Sequence, residues 1–216
     1  MPLTLYYHPL SSFCWKALIA LYEAQVPFEP FLVSHTDPAT GEAFRKVWPL
    51  GKFPVLRDDD SGETIPESSI IIEYLAERWP AARGFVPADP QAARRVRLLD
   101  RLIDNYVHLP FQQIVAERLR PDDRKDPYGV EQARAAVRNG YATIAPMIEG
   151  PWATGEAFTL ADCAAFPALY YANYAVPLGE WPELAAYLER LKARPSVARV
   201  LAEAEPWFQY FPLKDG

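Results

Sequence analysis

The chain reads as a small α/β domain followed by an all-helical domain. Three observations predict this. Strand and helix patterns alternate through residues 1–79 in the order β-α-β-α-β-β-α. Strand patterns stop after residue 80. Between the two regimes lies PAARGFVPADP, a run of Pro, Ala and Gly that reads as a linker over 80–90. The helical domain then covers 91–216.

Each element has a local cause. LTLYY (3–7) is a short strand. Residues 12–24 carry Ala17, Leu18, Leu21 and Tyr22 at helical spacing, and Pro27 stops that helix. Residues 28–33 form a second strand. A loop with Asp37, Pro38 and Gly41 leads into a short helix within 36–48. Residues 54–57 form a third strand, and DDDSG (58–62) turns it back into a fourth at 63–65. Helix-linked strands are expected parallel and the hairpin antiparallel. The third helix spans 67–79, with Ile71, Ile72, Tyr74, Leu75 and Trp79 as its apolar stripe. Beyond the linker, 91–119 reads as one long helix that Pro110 bends. Further helices follow at 128–148, 160–174 (with Pro167 inside), 181–193 and 196–204. The aromatic tail EPWFQYFPLKDG is expected to be irregular.

Composition narrows the function. The chain has 216 residues, enough for a core without disulfides or metals. Its net charge of -6 argues against a nucleic-acid partner, because no basic excess exists to neutralise phosphates. No stretch approaches a membrane span, and MPLTLYY lacks the basic start of a signal peptide, so a cytoplasmic protein is expected. Two cysteines, Cys14 and Cys163, are too few for a disulfide framework and their spacing suits no zinc site, so no metal is expected.

Four stretches carry chemistry. In YYHPLSSFCWK, Ser11 and Ser12 stand where the first strand turns into the first helix. The positive end of a helix stabilises an anion by about 0.3–1 kcal/mol when exposed. A hydroxyl there can donate to a ligand thiolate, or it can simply cap the helix. A serine nucleophile needs a base, and none of His8, His35 and His108 falls in a recognisable triad motif, which sets acyl transfer aside. Cys14 follows Ser11 as S-x-x-C and reads as a packed small residue. In KFPVL, Pro54 enters a strand; a cis bond would turn the Phe53 backbone outward, toward an extended peptide. In PESS, Glu67 and Ser68 open the third helix, either as an ordinary cap or as a grip on a ligand's carboxylate and ammonium. In FTLAD, Thr159 and Asp162 form a capping box with Phe158 as its staple, a structural device.

Taken together, YYHPLSSFCWK, KFPVL, IPESSIIIEYL and FTLADCAAFP, in this order and spacing, resemble the cytosolic glutathione transferase superfamily over essentially the whole chain. The resemblance implies a thioredoxin-like domain (βαβαββα) before the all-helical one, glutathione as co-substrate, and a homodimer. It implies that Ser11 stabilises the glutathione thiolate as in serine-type classes such as delta. Tyr7 stands where tyrosine-type classes carry their phenol, and Ser12 can stand in for Ser11. Phe53, before the cis proline Pro54, would pair its backbone with the cysteinyl part. Glu67 and Ser68 would hold the γ-glutamyl end. Delta-like proteins often carry His where this chain has Gly51, so Lys52 would meet the glycyl carboxylate instead. The second substrate, a small apolar electrophile, would lie between the domains. Its walls are expected from Leu10, Phe13, Tyr106, Phe111, Phe166 and the tail residues Trp207, Phe208 and Phe211, with Tyr106 and one tail aromatic foremost. Two alternatives accompany this reading. One is a zeta-like isomerase of the maleylacetoacetate type, since SSFCWK partly resembles the zeta motif SSCSWR. The other is a non-catalytic binding protein of the same fold. A thiol oxidoreductase is disfavoured, because Ser11 stands where omega-like classes carry their attacking cysteine.

Overall fold

The computed structural model describes residues 3–34 and 36–213; His35 lies outside them. Four strands, β1 (Leu3–Tyr7), β2 (Glu29–Leu32), β3 (Val55–Asp58) and β4 (Glu63–Pro66), form one sheet in the order β2-β1-β3-β4. Helices α1 (Ser12–Glu23), α2 (Pro38–Val47) and α3 (Ser68–Arg78) accompany it. The remaining helices are α4 (Pro90–Ile103), α5 (Leu109–Arg118), α6 (Pro127–Ile144), α7 (Leu160–Ala172), α8 (Pro182–Lys192) and α9 (Pro195–Ala204). Within the linker, Pro80–Phe85 is a 3₁₀ turn whose Ala82 and Phe85 are buried.

One strand direction differs from expectation. β1 and β2 are parallel across α1, but β3 runs antiparallel to β1 although α2 precedes it. Val55 pairs with Tyr6, so β3 starts where β1 ends. β2 also ends there, Leu32 pairing with Tyr7, and β3 enters the sheet from that same end. The consequence is functional: the Phe53–Pro54 bond, which is cis, arrives beside the turn that follows β1.

The predicted 91–119 helix is interrupted. A π-helical turn, Asp104–His108, separates α4 from α5, and the Leu109 amide donates to the Asp104 carbonyl five residues back. Pro110 is the cause, because it has no N–H to give the Tyr106 carbonyl. That carbonyl instead faces Gly140 of α6, where an added Cβ would stand 2.3 Å from it. The tail is also more regular than expected: Glu205–Tyr210 winds as a 3₁₀ turn.

The two domains share a core. α1 packs against α3 on one side and against α7 and α9 on the other. Trp15 of α1 is fully buried, with its ring against Phe166, Tyr170, Tyr171 and Phe208. Phe166 is therefore part of the core and not a substrate wall. A helix that is apolar all round belongs in an interior, and α7 is buried at nearly every position. Among the described residues, no helix is long and apolar enough to cross a membrane.

Candidate active site

The turn after β1 is held from below. The Trp15 indole N–H donates to the Pro9 carbonyl at 2.6 Å, and the Tyr171 hydroxyl donates to the Leu10 carbonyl at 3.0 Å. Ser11 is the cap of α1: its Oγ accepts the Cys14 amide at 3.3 Å. Ser12 is the first helical residue and is nearly buried. Its Oγ lies 2.5 Å from His108 Nε2 and accepts the Gln112 side-chain amide at 3.0 Å. Cys14 is enclosed, and burial pushes its thiol up to about 12, as a packed residue requires.

A cavity of about 610 Å³ opens above these serines. Its walls include Leu10, Phe13, Phe53, Phe111, Trp207 and Phe211, six of the residues singled out by sequence. Trp207 reaches it because the tail crosses back over the site; its ring meets His8 edge-on at 5.2 Å. His8, Gln112, Val115 and Tyr171 also line this wall, and no motif points to them.

A second pocket, of about 390 Å³, lies on the other side of Phe13, which lines both. It holds Glu67 and Ser68 beside Arg97 and Arg101. Glu67 is the cap residue of α3 with φ +68°, a left-handed backbone that a non-glycine residue rarely adopts. Its side chain makes no capping bond, so an ordinary cap does not account for it.

Four predicted residues stand elsewhere. Tyr7 lines a separate pocket with Tyr22, Arg199 and Glu203, and burial, with Glu203 nearby, raises its phenol pKa. β1 alternates its faces, so Tyr7 cannot follow the chain into the Ser11 turn. Tyr106 is 57% exposed on the π-helical turn and does not line the cavity. Phe208 packs against Trp15 and Tyr171 instead of facing the cavity. Lys52 is exposed and lies outside both pockets.

Behind the site is a buried ionic cluster. Lys16 of α1, with no exposed surface, donates to Asp100, to Asp104 at 2.7 Å and to Ser69 at 2.8 Å. Arg101 bonds the same two aspartates from the outside, at 2.7 Å each. Although burial alone would raise it, the Lys16 ammonium and His108 beside Asp104 hold its carboxyl down to about 2. Burial keeps His108 below its ordinary value, so it is neutral at pH 7.

This fold and site define a class: a sheet-and-helix domain presenting hydroxyls at a helix start, joined to a helical domain that supplies an apolar cavity. Two family models match the chain, the glutathione S-transferase N-terminal domain over residues 5–83 and the C-terminal domain over 127–190. The chain belongs to the cytosolic glutathione transferase superfamily. It is 29% identical over 204 residues to a glutathione S-transferase of Pseudomonas putida, covering 91% of this chain and 90% of that one. It is 27% identical to the maleylacetoacetate isomerase of Pseudomonas aeruginosa, over 95% of this chain and 98% of that one. A glutathione S-transferase of Methylobacillus flagellatus, solved with glutathione bound, superposes with a TM-score of 0.82 at 29% identity, over 92% of this chain and 98% of that chain. These relatives support glutathione-dependent chemistry of the transferase or isomerase kind.

Proposed function

We propose that the protein is a glutathione S-transferase that holds glutathione as a thiolate at the start of α1 and presents it to an apolar electrophile. The observation that carries this is the adjacency of the two pockets across Phe13. Glutathione's γ-glutamyl end would sit at Glu67 and Ser68, its cysteinyl part along the Phe53 backbone, and its sulfur at the serines. The helix start and a hydroxyl lower the thiol pKa, and the thiolate attacks an electrophilic carbon held in the larger cavity. Proximity contributes the rest of the rate.

The isomerase reading is weaker for a dicarboxylate substrate. Among the described residues, no lysine or arginine lines the larger cavity. Such a substrate needs a cation or several aimed donors.

The test is the ultraviolet thiolate absorbance of bound glutathione against pH. Ser11→Ala and Ser12→Ala are expected to raise the midpoint by about 1 unit or more, roughly tenfold less thiolate at pH 7. Tyr7→Phe should leave it unmoved, since Tyr7 lines another pocket. Absence of glutathione binding to the wild-type protein would overturn the reading.

We also propose the homodimer that the resemblance implies. Ile70 and Leu109 are about half exposed and line the Glu67 pocket, with exposed Tyr106 on the turn just before Leu109. A second copy laid on this face would cover apolar surface and close that pocket. Sedimentation equilibrium should return twice the chain mass, and Leu109→Lys should shift it toward one; a wild-type monomer would remove the proposal.

A further inference from the structure

No motif places His108, yet its Nε2 lies 2.5 Å from Ser12 Oγ at the start of α1. It has no exposed surface, and the Phe13 ring stacks on its face at 4.0 Å. Its other nitrogen, Nδ1, faces Asp104 Oδ1 at 3.9 Å. Among the described residues these two atoms are buried and neither has a hydrogen-bond partner. A buried polar atom left unpaired costs about 1–3 kcal/mol.

The pairing of those two atoms decides where the histidine proton sits. A neutral imidazole carries one N–H, on the nitrogen whose neighbour best accepts it. A carboxylate only accepts. With the proton on Nδ1, the N–H points its positive end at the Asp104 carboxylate 3.9 Å away, too far for a hydrogen bond but attractive in a buried setting. With the proton on Nε2, two acceptors face each other in the interior. The Nδ1–H form therefore prevails, and Nε2 is a bare acceptor. Ser12 then donates its O–H to Nε2 and accepts from Gln112, which leaves one lone pair on Oγ toward the cavity it lines. Ser11 is differently committed. Its oxygen accepts the Cys14 amide, which leaves the hydroxyl proton to donate to a thiolate.

We propose that Ser12 relays the glutathione thiol proton to His108, with Asp104 holding the imidazole, while Ser11 donates to the thiolate that results. This rests on the transferase reading. In the step, the S–H bond breaks and its proton joins Ser12 Oγ. The original Ser12 proton passes to His108 Nε2, and no proton enters or leaves. The products are a thiolate and an imidazolium that faces Asp104. The charges around His108 explain why this waits for glutathione. Lys16 and Arg101 already balance Asp100 and Asp104, so an imidazolium has no counter-charge until the thiolate appears. His108 touches no substrate in this scheme; it is a positioning residue that acts through Ser12.

The wild-type protein gives the first test. Imidazole ¹⁵N resonances of His108 without ligand should show a protonated Nδ1 and a bare Nε2, and adding glutathione near neutral pH should protonate Nε2. A protonated Nε2 in the free protein would overturn the relay, whether or not any variant folds. The second test is the thiolate midpoint in His108→Phe, Ser12→Ala and the double variant. Each single change should raise it by about 1–2 units, and the double by no more than either, because they interrupt one chain. Ser11→Ala should add to them. A His108→Phe midpoint equal to wild type overturns the relay alone. Glutathione binding, measured separately by calorimetry, distinguishes that result from failure of the transferase reading, in which no complex forms at all.

Discussion

Lys16→Met is expected to destabilise the protein by about 3–5 kcal/mol, the usual result of removing one partner from a buried ion pair. Lys16 ties three elements together: α1 through its own backbone, α3 through Ser69, and the α4 end through Asp100 and Asp104. The last contacts cross between the domains. Without the ammonium, two buried carboxylates lose their inner counter-charge. Arg101 remains, but its side chain is half exposed and partly hydrated. Urea unfolding of wild type and variant measures the difference; a loss below about 1 kcal/mol would show that Arg101 alone suffices. A Lys16→Met, Asp100→Asn, Asp104→Asn chain should recover part of the loss, because no uncompensated charge stays inside. The acid response follows from the same cluster. Asp104 titrates at about 2 in the folded protein against an ordinary 3.8, so the unfolded chain takes up its proton first. Its contribution is complete above pH 4 and disappears between about pH 4 and 2. His108, held neutral by burial, adds an earlier loss as pH falls below its ordinary 6.5. Lys16→Met should flatten the lower limb.

Asp162→Ala is expected to cost a comparable amount, about 3–5 kcal/mol, for a different reason. Asp162 has no exposed surface and accepts from four donors: the Thr159 amide at 2.8 Å, the Thr159 hydroxyl at 3.0 Å, the Ala153 amide at 2.8 Å and the Tyr187 hydroxyl at 2.6 Å. The first is Asp162's half of the capping box at the start of α7, and the second ties the two side chains of the box together. The other two fasten the loop before α7 and the helix α8 to it. Alanine leaves all four donors buried and unpaired. Asn at this position keeps the shape and one accepting oxygen, so Asp162→Asn should fall between alanine and wild type. Thermal melts of the three proteins give the order. An Asp162→Ala melt within a degree or two of wild type would mean that the box is ornamental.

These two residues show how differently a sequence speaks. The T-x-x-D box is local, four residues long, and its geometry follows from helix-end chemistry, so those four residues are enough to read it. Its links to Ala153 and Tyr187 are not legible in the same way, since nothing in the spacing points there. Lys16 reads in isolation as an ordinary helix lysine. Only the packing of α1 against α3 and α4 shows that it is a buried charge.

The site divides along the same line. Ser11, Ser12, Phe53 and Pro54, and Glu67 and Ser68, stand out in the sequence because each sits where a strand meets a helix or a proline enters a strand. Such junctions expose backbone donors whatever surrounds them. The cavity walls are less legible. Leu10, Phe13, Phe111 and Trp207 line the cavity, while Tyr106, Phe166 and Phe208 do not. The sequence does not separate the two groups, because an aromatic at helical spacing packs into a core or faces a cavity with the same pattern. His108 and Gln112 carry one faint signal. Asp104, His108 and Gln112 recur every four residues, a polar line along one side of the helical stretch. Pro110 breaks the helix register within that line, and the π-helical turn that results sets which way those side chains point. The α/β and helical regions, the order of elements and the helix starts that hold the serines all follow from neighbours a few residues apart, and the sequence alone is sufficient for them. Three outcomes needed the assembled fold: β3 reverses to bring Pro54 to the site, Tyr7 leaves it, and a buried histidine reaches Ser12. Those outcomes depend on contacts between residues far apart in the chain, and a local pattern contains no information about which of them will meet.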